Sequence, residues 1–124
     1  SRINSTFGGN LLDMVRFDKY LEIIEEENLV DNAGRMGTVL LDGLQDLQQQ
    51  FPGLISNVRG KGLLCSFDLP DTDSRNNAVS NMRKHGMIIL GCGKRSIRCR
   101  PRLNSTKDEI DEALKIMHTG IKEI

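Results

Sequence analysis

Tryptophan is absent from this sequence, tyrosine occurs once and phenylalanine four times. So few rings offer no stacking platform for nucleobases. No stretch approaches roughly 18 consecutive apolar residues, and no signal peptide is visible, so no membrane span or secretory leader is read. Neither sign of charge dominates, with Lys and Arg totalling 17 and Asp and Glu totalling 17. That balance excludes a generally basic surface for nucleic acid or anionic lipid. The three cysteines, Cys65, Cys92 and Cys99, are odd in number and show no C-x-x-C spacing. The two histidines, His85 and His118, hold no ligand-like spacing to them. No metal site and no disulfide framework are expected, and free thiols point to a reducing, cytoplasmic compartment.

The 124 residues suit one domain with one core. The chain opens on Ser1-Arg2 without a methionine and reads as a piece of a longer product. Its first stretch, Arg2 to Asn10, sets amide and hydroxyl groups beside Gly8 and Gly9. Asn10 stands where a helix N-cap belongs. Two readings stay open: a glycine-rich turn ending in a cap, or hydroxyl and freed N–H groups that hold an anion such as phosphate.

Beyond Asn10, Leu11, Met14, Val15, Phe17, Leu21 and Ile24 recur at helical spacing, and Glu25-Glu26-Glu27-Asn28 ends the run. A second helix is predicted over 29–50. Its stripe is Ala33, Met36, Leu40, Leu44 and Leu47, and Pro52-Gly53 stops it. The period then changes. Leu54–Val58 and Leu63–Leu69 are predicted strands, with Arg59-Gly60-Lys61-Gly62 as a glycine-assisted turn or bulge. R-G-K-G lacks the rest of a phosphate-loop pattern, so a hairpin is the better reading. A short helix follows over 73–84, with Gly86 as its C′ residue. Met87–Leu90 is read as a strand, Gly91–Arg95 as a reversal, and Ser96–Arg100 as a returning strand stopped by Pro101. Thr106 and Glu109 form a capping box ahead of a last helix with Ile110, Leu114, Met117 and Ile121 on one face. The order α-α-β-β-α-β-β-α predicts an α+β fold, a small antiparallel sheet covered by helices.

On the returning strand Ile97 and Cys99 alternate with Arg98 and Arg100, so both arginines share one face. They read either as ordinary cations of an exposed face or as a clamp for a carboxylate, whose plane a guanidinium matches.

Three motifs together resemble the class III pyridoxal-phosphate-dependent aminotransferases of fold type I. Asn4-Ser5-Thr6-Phe7-Gly8-Gly9-Asn10 resembles the family's S-T-F-G-G-N motif. Val58-Arg59-Gly60-Lys61-Gly62-Leu63 resembles its R-G-x-G-L turn and strand. Ser96-Ile97-Arg98 with Pro101 and Leu103 resembles its I-R-x-x-P-x-L strand. The chain looks like the C-terminal segment of such an enzyme, with residues 1–28 as motif and linking helix and 29–124 as the small domain. The opening run is most similar to the branch that acts on the ε-amino group of L-lysine, with the 4-aminobutyrate branch as nearest competitor.

The resemblance implies pyridoxal 5′-phosphate as cofactor, an amino acid donor, 2-oxoglutarate as acceptor and a homodimer. It implies that Thr6, beside Ser5, reaches the cofactor phosphate of the other subunit. It implies that Arg98 pairs with a substrate carboxylate and that Asn4 lies near the substrate. Pro101-Arg102-Leu103 and Cys99 depart from the common pattern, which bears on substrate more than on family. No lysine here sits in the Schiff-base context that transamination needs. The chain alone is therefore expected to be inactive. A stand-alone module that binds amino acid carboxylates through Arg98 and Arg100 is the non-enzymatic alternative.

Overall fold

The computed structural model describes residues 9–124, so the calls on Asn4, Ser5 and Thr6 lie outside the described residues. The elements are α1 (Leu11–Glu26), α2 (Leu29–Gln50), β1 (Ser56–Lys61), β2 (Leu64–Asp68), α3 (Thr72–Lys84), β3 (Leu90–Cys92), β4 (Ser96–Cys99) and α4 (Lys107–Lys122). This is the α+β order that the sequence predicts.

Side-chain caps set the helix starts. Asn10 Oδ1 accepts from the N–H groups of Leu12 at 3.0 Å and Asp13 at 3.4 Å. Asp71 accepts from Ser74 N–H at 2.8 Å, and Thr106 and Glu109 form the reciprocal capping box. Between α1 and α2 the chain turns at Asn28, which takes left-handed backbone angles and gives α2 no side-chain cap.

The strands form one antiparallel sheet in the order β1-β2-β4-β3. Alternation sends Cys65, Phe67 and Leu69 of the β2 stretch and Ile97 and Cys99 of β4 into the core. There they meet Leu40 and Leu44 of α2, Met82 of α3, and Ile110, Met117 and Ile121 of α4. The helical stripes read from the sequence for α2 and α4 are thus the stripes that bury. α1 behaves differently. Its apolar face exists, but no residue of α1 is buried, and Leu11, Phe17 and Tyr20 stand open. Only Ile23 and Ile24, next to the turn at Asn28, are half-buried.

Two strand readings need correction. Met87–Ile89 is not strand; pairing begins at Leu90↔Arg98. Continued in register, it would bring Ile88 against Arg100 and Met87 against Pro101, which has no N–H to give. The stretch is used instead to close α3, where Gly86 has φ +88° and Met87 N–H donates to Met82 C=O at 3.0 Å. Arg59, Gly60 and Lys61 are not the turn either. They belong to β1, and the reversal is the two-residue loop Gly62-Leu63 between the paired Lys61 and Leu64, with Gly62 at φ +54°. The irregularity sits earlier, between Ser56 and Arg59, where Asn57 has φ +53°.

Candidate functional site

The face of the sheet turned away from the helices carries polar side chains in register. Arg59 of β1 pairs with Ser66 of β2, Ser66 with Arg98 of β4, and Arg98 with Leu90 of β3. Two residue pairs further along, on the same face, Asp68 lies opposite Ser96. The row therefore places two arginines on either side of one small serine, each diagonal to the same carboxylate.

Arg98 is half-buried, and among the described residues its guanidinium makes no ion pair and no hydrogen bond. It lines a pocket of about 450 Å³ with Leu90, Cys99, Arg100, Ile89 and Glu109. Arg98 and Arg100 both line this cavity, as does Cys99 between them, although β4 ends at Cys99 and Arg100 stands beyond it. Glu109, the carboxylate in that wall, is already engaged by the Arg102 guanidinium and the Thr106 N–H. A guanidinium on a strand has the planar fork of donors that a carboxylate matches.

Two of the other nearby cations are engaged within the domain. Arg95 stands 3.9 Å from Asp68 and Arg102 pairs with Glu109. Lys94 contributes its carbonyl, which accepts from Thr72 Oγ1 at 2.9 Å.

Asp68 was not singled out by its sequence context, yet it organises this face. It is 5% exposed. Its Oδ1 accepts from Ser96 Oγ at 2.7 Å and from Arg59 Nη1 at 3.0 Å, and its Oδ2 from Asn57 Nδ2 at 2.9 Å. Burial alone raises its pKa; the hydrogen bonds from Asn57, Ser96 and Arg59 and the charge of Arg59 outweigh that and bring it to about 2. A depressed folded pKa stabilises the fold above the unfolded value near 3.8, and that stabilisation is lost as pH falls toward 2. Asp68→Asn should therefore flatten acid unfolding between those limits. By linkage the wild type has about 2–3 kcal/mol to lose there, read by urea titration at stepped pH. An unchanged slope in the variant would remove Asp68 as the acid-sensitive group.

Burial pushes the thiols of Cys65 and Cys99 up, that of Cys99 to about 12 with the added effect of Cys65 opposite it, while Cys92 is exposed. No group of three or more His, Cys, Asp or Glu side chains poised for a metal occurs among the described residues. No helix among them is long and apolar enough to cross a membrane. At the start of α1, Asn10 takes the N–H groups of Leu12 and Asp13, which supports the cap reading there.

A helix-backed antiparallel sheet with Arg98 and Arg100 along one pocket is the frame on which the comparisons with known proteins bear. The chain belongs to the class III aminotransferases, whose family profile matches residues 1–121. Among its relatives, the L-lysine-epsilon aminotransferase of Amycolatopsis lactamdurans is 46% identical over 98% of this chain and 27% of that protein. The mitochondrial 4-aminobutyrate aminotransferase of Sus scrofa is 45% identical over 82% of this chain and 20% of that protein. In structure, a lysine aminotransferase from M. tuberculosis superposes with a TM-score of 0.91 and 38% identity, covering 98% of this chain and 28% of that one. The chain thus spans about a quarter of the length of the lysine aminotransferases it matches.

Proposed function

We propose that this chain is the C-terminal part of a pyridoxal-phosphate-dependent aminotransferase that moves the ε-amino group of L-lysine to 2-oxoglutarate. The observation that carries it is Arg98, half-buried, without an ion pair or hydrogen bond among the described residues and part of the lining of a pocket. Its role is to receive the α-carboxylate of the amino acid or the oxo acid, and so to fix which end of the substrate reaches the chemistry. In this reading residues 1–28 link the small domain, 29–124, to the rest of a cytoplasmic homodimer.

Bound pyridoxal phosphate supplies the electron sink through which an amine and an oxo acid exchange nitrogen. Ser5 and Thr6 are assigned to its phosphate, since their hydroxyls can donate hydrogen bonds to an anion. Asn4 is assigned to the substrate side. Neither the Schiff-base lysine nor the partner of the pyridinium nitrogen is assigned within these residues, so the chain alone is proposed to be inactive. The identity of 45% with a 4-aminobutyrate aminotransferase favours an ω-amino acid as the second reading of the donor.

The test is the visible spectrum of the full-length protein, before and after L-lysine is added without an oxo acid. A bound-cofactor band that lysine bleaches, and that 4-aminobutyrate leaves alone, is the expected result. A response to 4-aminobutyrate only would move the donor. A full-length protein with no cofactor band would overturn the enzyme reading in favour of a carboxylate-binding module.

A further inference from the structure

The loop from Arg100 to Thr106 joins β4 to α4. It forms one wall of the pocket that Arg98 lines, through Arg100, Pro101 and the buried Ser105. A loop has no strand ladder to hold it, so its carbonyls need partners from elsewhere. Two of them share one partner. The half-buried Asn32, in the first turn of α2, donates from Nδ2 to the carbonyl of Leu103 at 2.8 Å and to that of Ser105 at 3.0 Å. Two carbonyl oxygens can be met only by the NH₂ end of an amide, and both of its hydrogens are used here. They bridge 71 and 73 positions of chain. The loop's other side-chain hydrogen bonds among the described residues run to Glu109 of α4, from Arg102 and Thr106. Within the loop, Ser105 N–H donates to the Arg102 carbonyl at 3.1 Å. Asn32 is itself bonded to the turn between α1 and α2, where its backbone N–H donates to the Asn28 carbonyl at 3.0 Å. One amide thus hangs the pocket wall from the start of α2.

We infer that Asn32 is a positioning residue: its amide holds the Arg100–Thr106 loop against α2 and so fixes the wall beside which a carboxylate-bearing substrate seats. Asn32 does not line that pocket and acts only through the loop. What it supplies is donation and not bulk. An aspartate of the same shape would set a charged oxygen against two carbonyl oxygens and drive the loop away. The Ser105 carbonyl, on a buried residue, would lose this partner. The helix itself has no reason to weaken, because asparagine and aspartate have similar helix propensity and a carboxylate in the first turn suits the macrodipole. This role presupposes that Arg98 receives substrate, as proposed above.

The experiment measures the dissociation constant of glutarate, an unreactive dicarboxylate, by calorimetry with the cofactor-loaded full-length protein. Asn32→Asp is expected to weaken glutarate about tenfold, through two lost hydrogen bonds. Asn32→Gln keeps both amide hydrogens and is expected to stay within about threefold. The order of the two is the decisive sign. A residue that served only to fill space would tolerate the isosteric aspartate better than the longer glutamine. Wild-type affinity in Asn32→Asp, or a loss in Asn32→Gln as large as in Asn32→Asp, overturns the inference. If Asn32→Asp does not fold, Asn32→Ser takes its place: binding about fivefold weaker supports the role, and unchanged binding overturns it. Arg98→Gln tells the two levels apart. If it loses glutarate while Asn32→Asp keeps it, the reading of Arg98 stands and only the role of Asn32 falls. If it binds glutarate like the wild type, the reading of Arg98 has failed and the role of Asn32 falls with it.

Discussion

Replacing Arg98 by glutamine in the full-length enzyme is expected to lower kcat/KM for carboxylate-bearing donors by a factor of roughly 10²–10³. Losing one partner of a buried, charge-assisted carboxylate pair costs about 3–4 kcal/mol, most of it the cost of leaving the substrate carboxylate without its match. The effect is selective. An amine without an α-carboxylate, such as 1,5-diaminopentane, asks nothing of Arg98 and should react at nearly the wild-type rate. Arg98→Lys keeps the charge but loses the planar fork, so it should fall between the two. Single-turnover half-reactions of lysine and diaminopentane with the cofactor-loaded enzyme, run without oxo acid, separate this from a general loss of fold. Equal losses on both substrates would mean that Arg98 holds the domain together and not the substrate.

The second large effect concerns folding. α2 lies so close to the β1–β2 reversal that a Cβ on Gly37 would stand 2.3 Å from the Gly62 carbonyl carbon and 2.4 Å from its oxygen. Both atoms are backbone, and Gly62 is pinned by its left-handed angles in a two-residue loop. Gly37→Ala must therefore push the helix off the hairpin. Overpacking of this kind costs about 1–3 kcal/mol or more, against about 1 kcal/mol gained in helix propensity. A net loss of about 2 kcal/mol is expected by urea unfolding. Gly34, in the same helix, has nothing within 4 Å of its missing Cβ. Gly34→Ala should stabilise by up to about 1 kcal/mol, so the two substitutions differ in sign. If both move stability the same way, close approach at Gly37 is not what glycine provides there.

Much of this fold is legible in the residues taken alone. α2 and α4 announce themselves through apolar stripes at spacings of three and four and through Pro52, Thr106 and Glu109 at their limits. Hairpins are legible in outline only. The sequence pattern Met87–Leu90 is apolar enough for a strand, but strand pairing depends on the partner, and Pro101 closes the ladder where Met87 would enter it. The turn at Gly60–Gly62 is misread for a related reason. Two glycines mark the region, and only the register shows that Gly62 bends while Gly60 pairs.

The site divides in the same way. Arg98 is legible through its alternation with Ile97 and Cys99, and through the motif around it. Asp68 is not, because nothing local tells a solvated aspartate at a strand end from one filled by donors 11, 9 and 28 positions away. Its one sequence cue is its parity: it alternates with Ser66, so it must share the face that carries Arg98. Asn4, Ser5 and Thr6 rest on resemblance, and their test is the cofactor chemistry of the full-length protein.

The turn at Asn28 gives α1 a mechanical character. The helix is 16 residues long, which is about 24 Å from end to end. It touches the body of the domain through Ile23 and Ile24 near its C-terminal end, while Leu11 and Leu12 at the other end stand 75% and 65% exposed. That is a lever arm with its fulcrum at Asn28. A change of about 10° at the fulcrum swings Leu11 through about 4 Å, by the same helix length. Whatever grips the apolar flank of α1 therefore sets the angle at Asn28, and with it the position of Leu11 and Leu12 relative to the sheet.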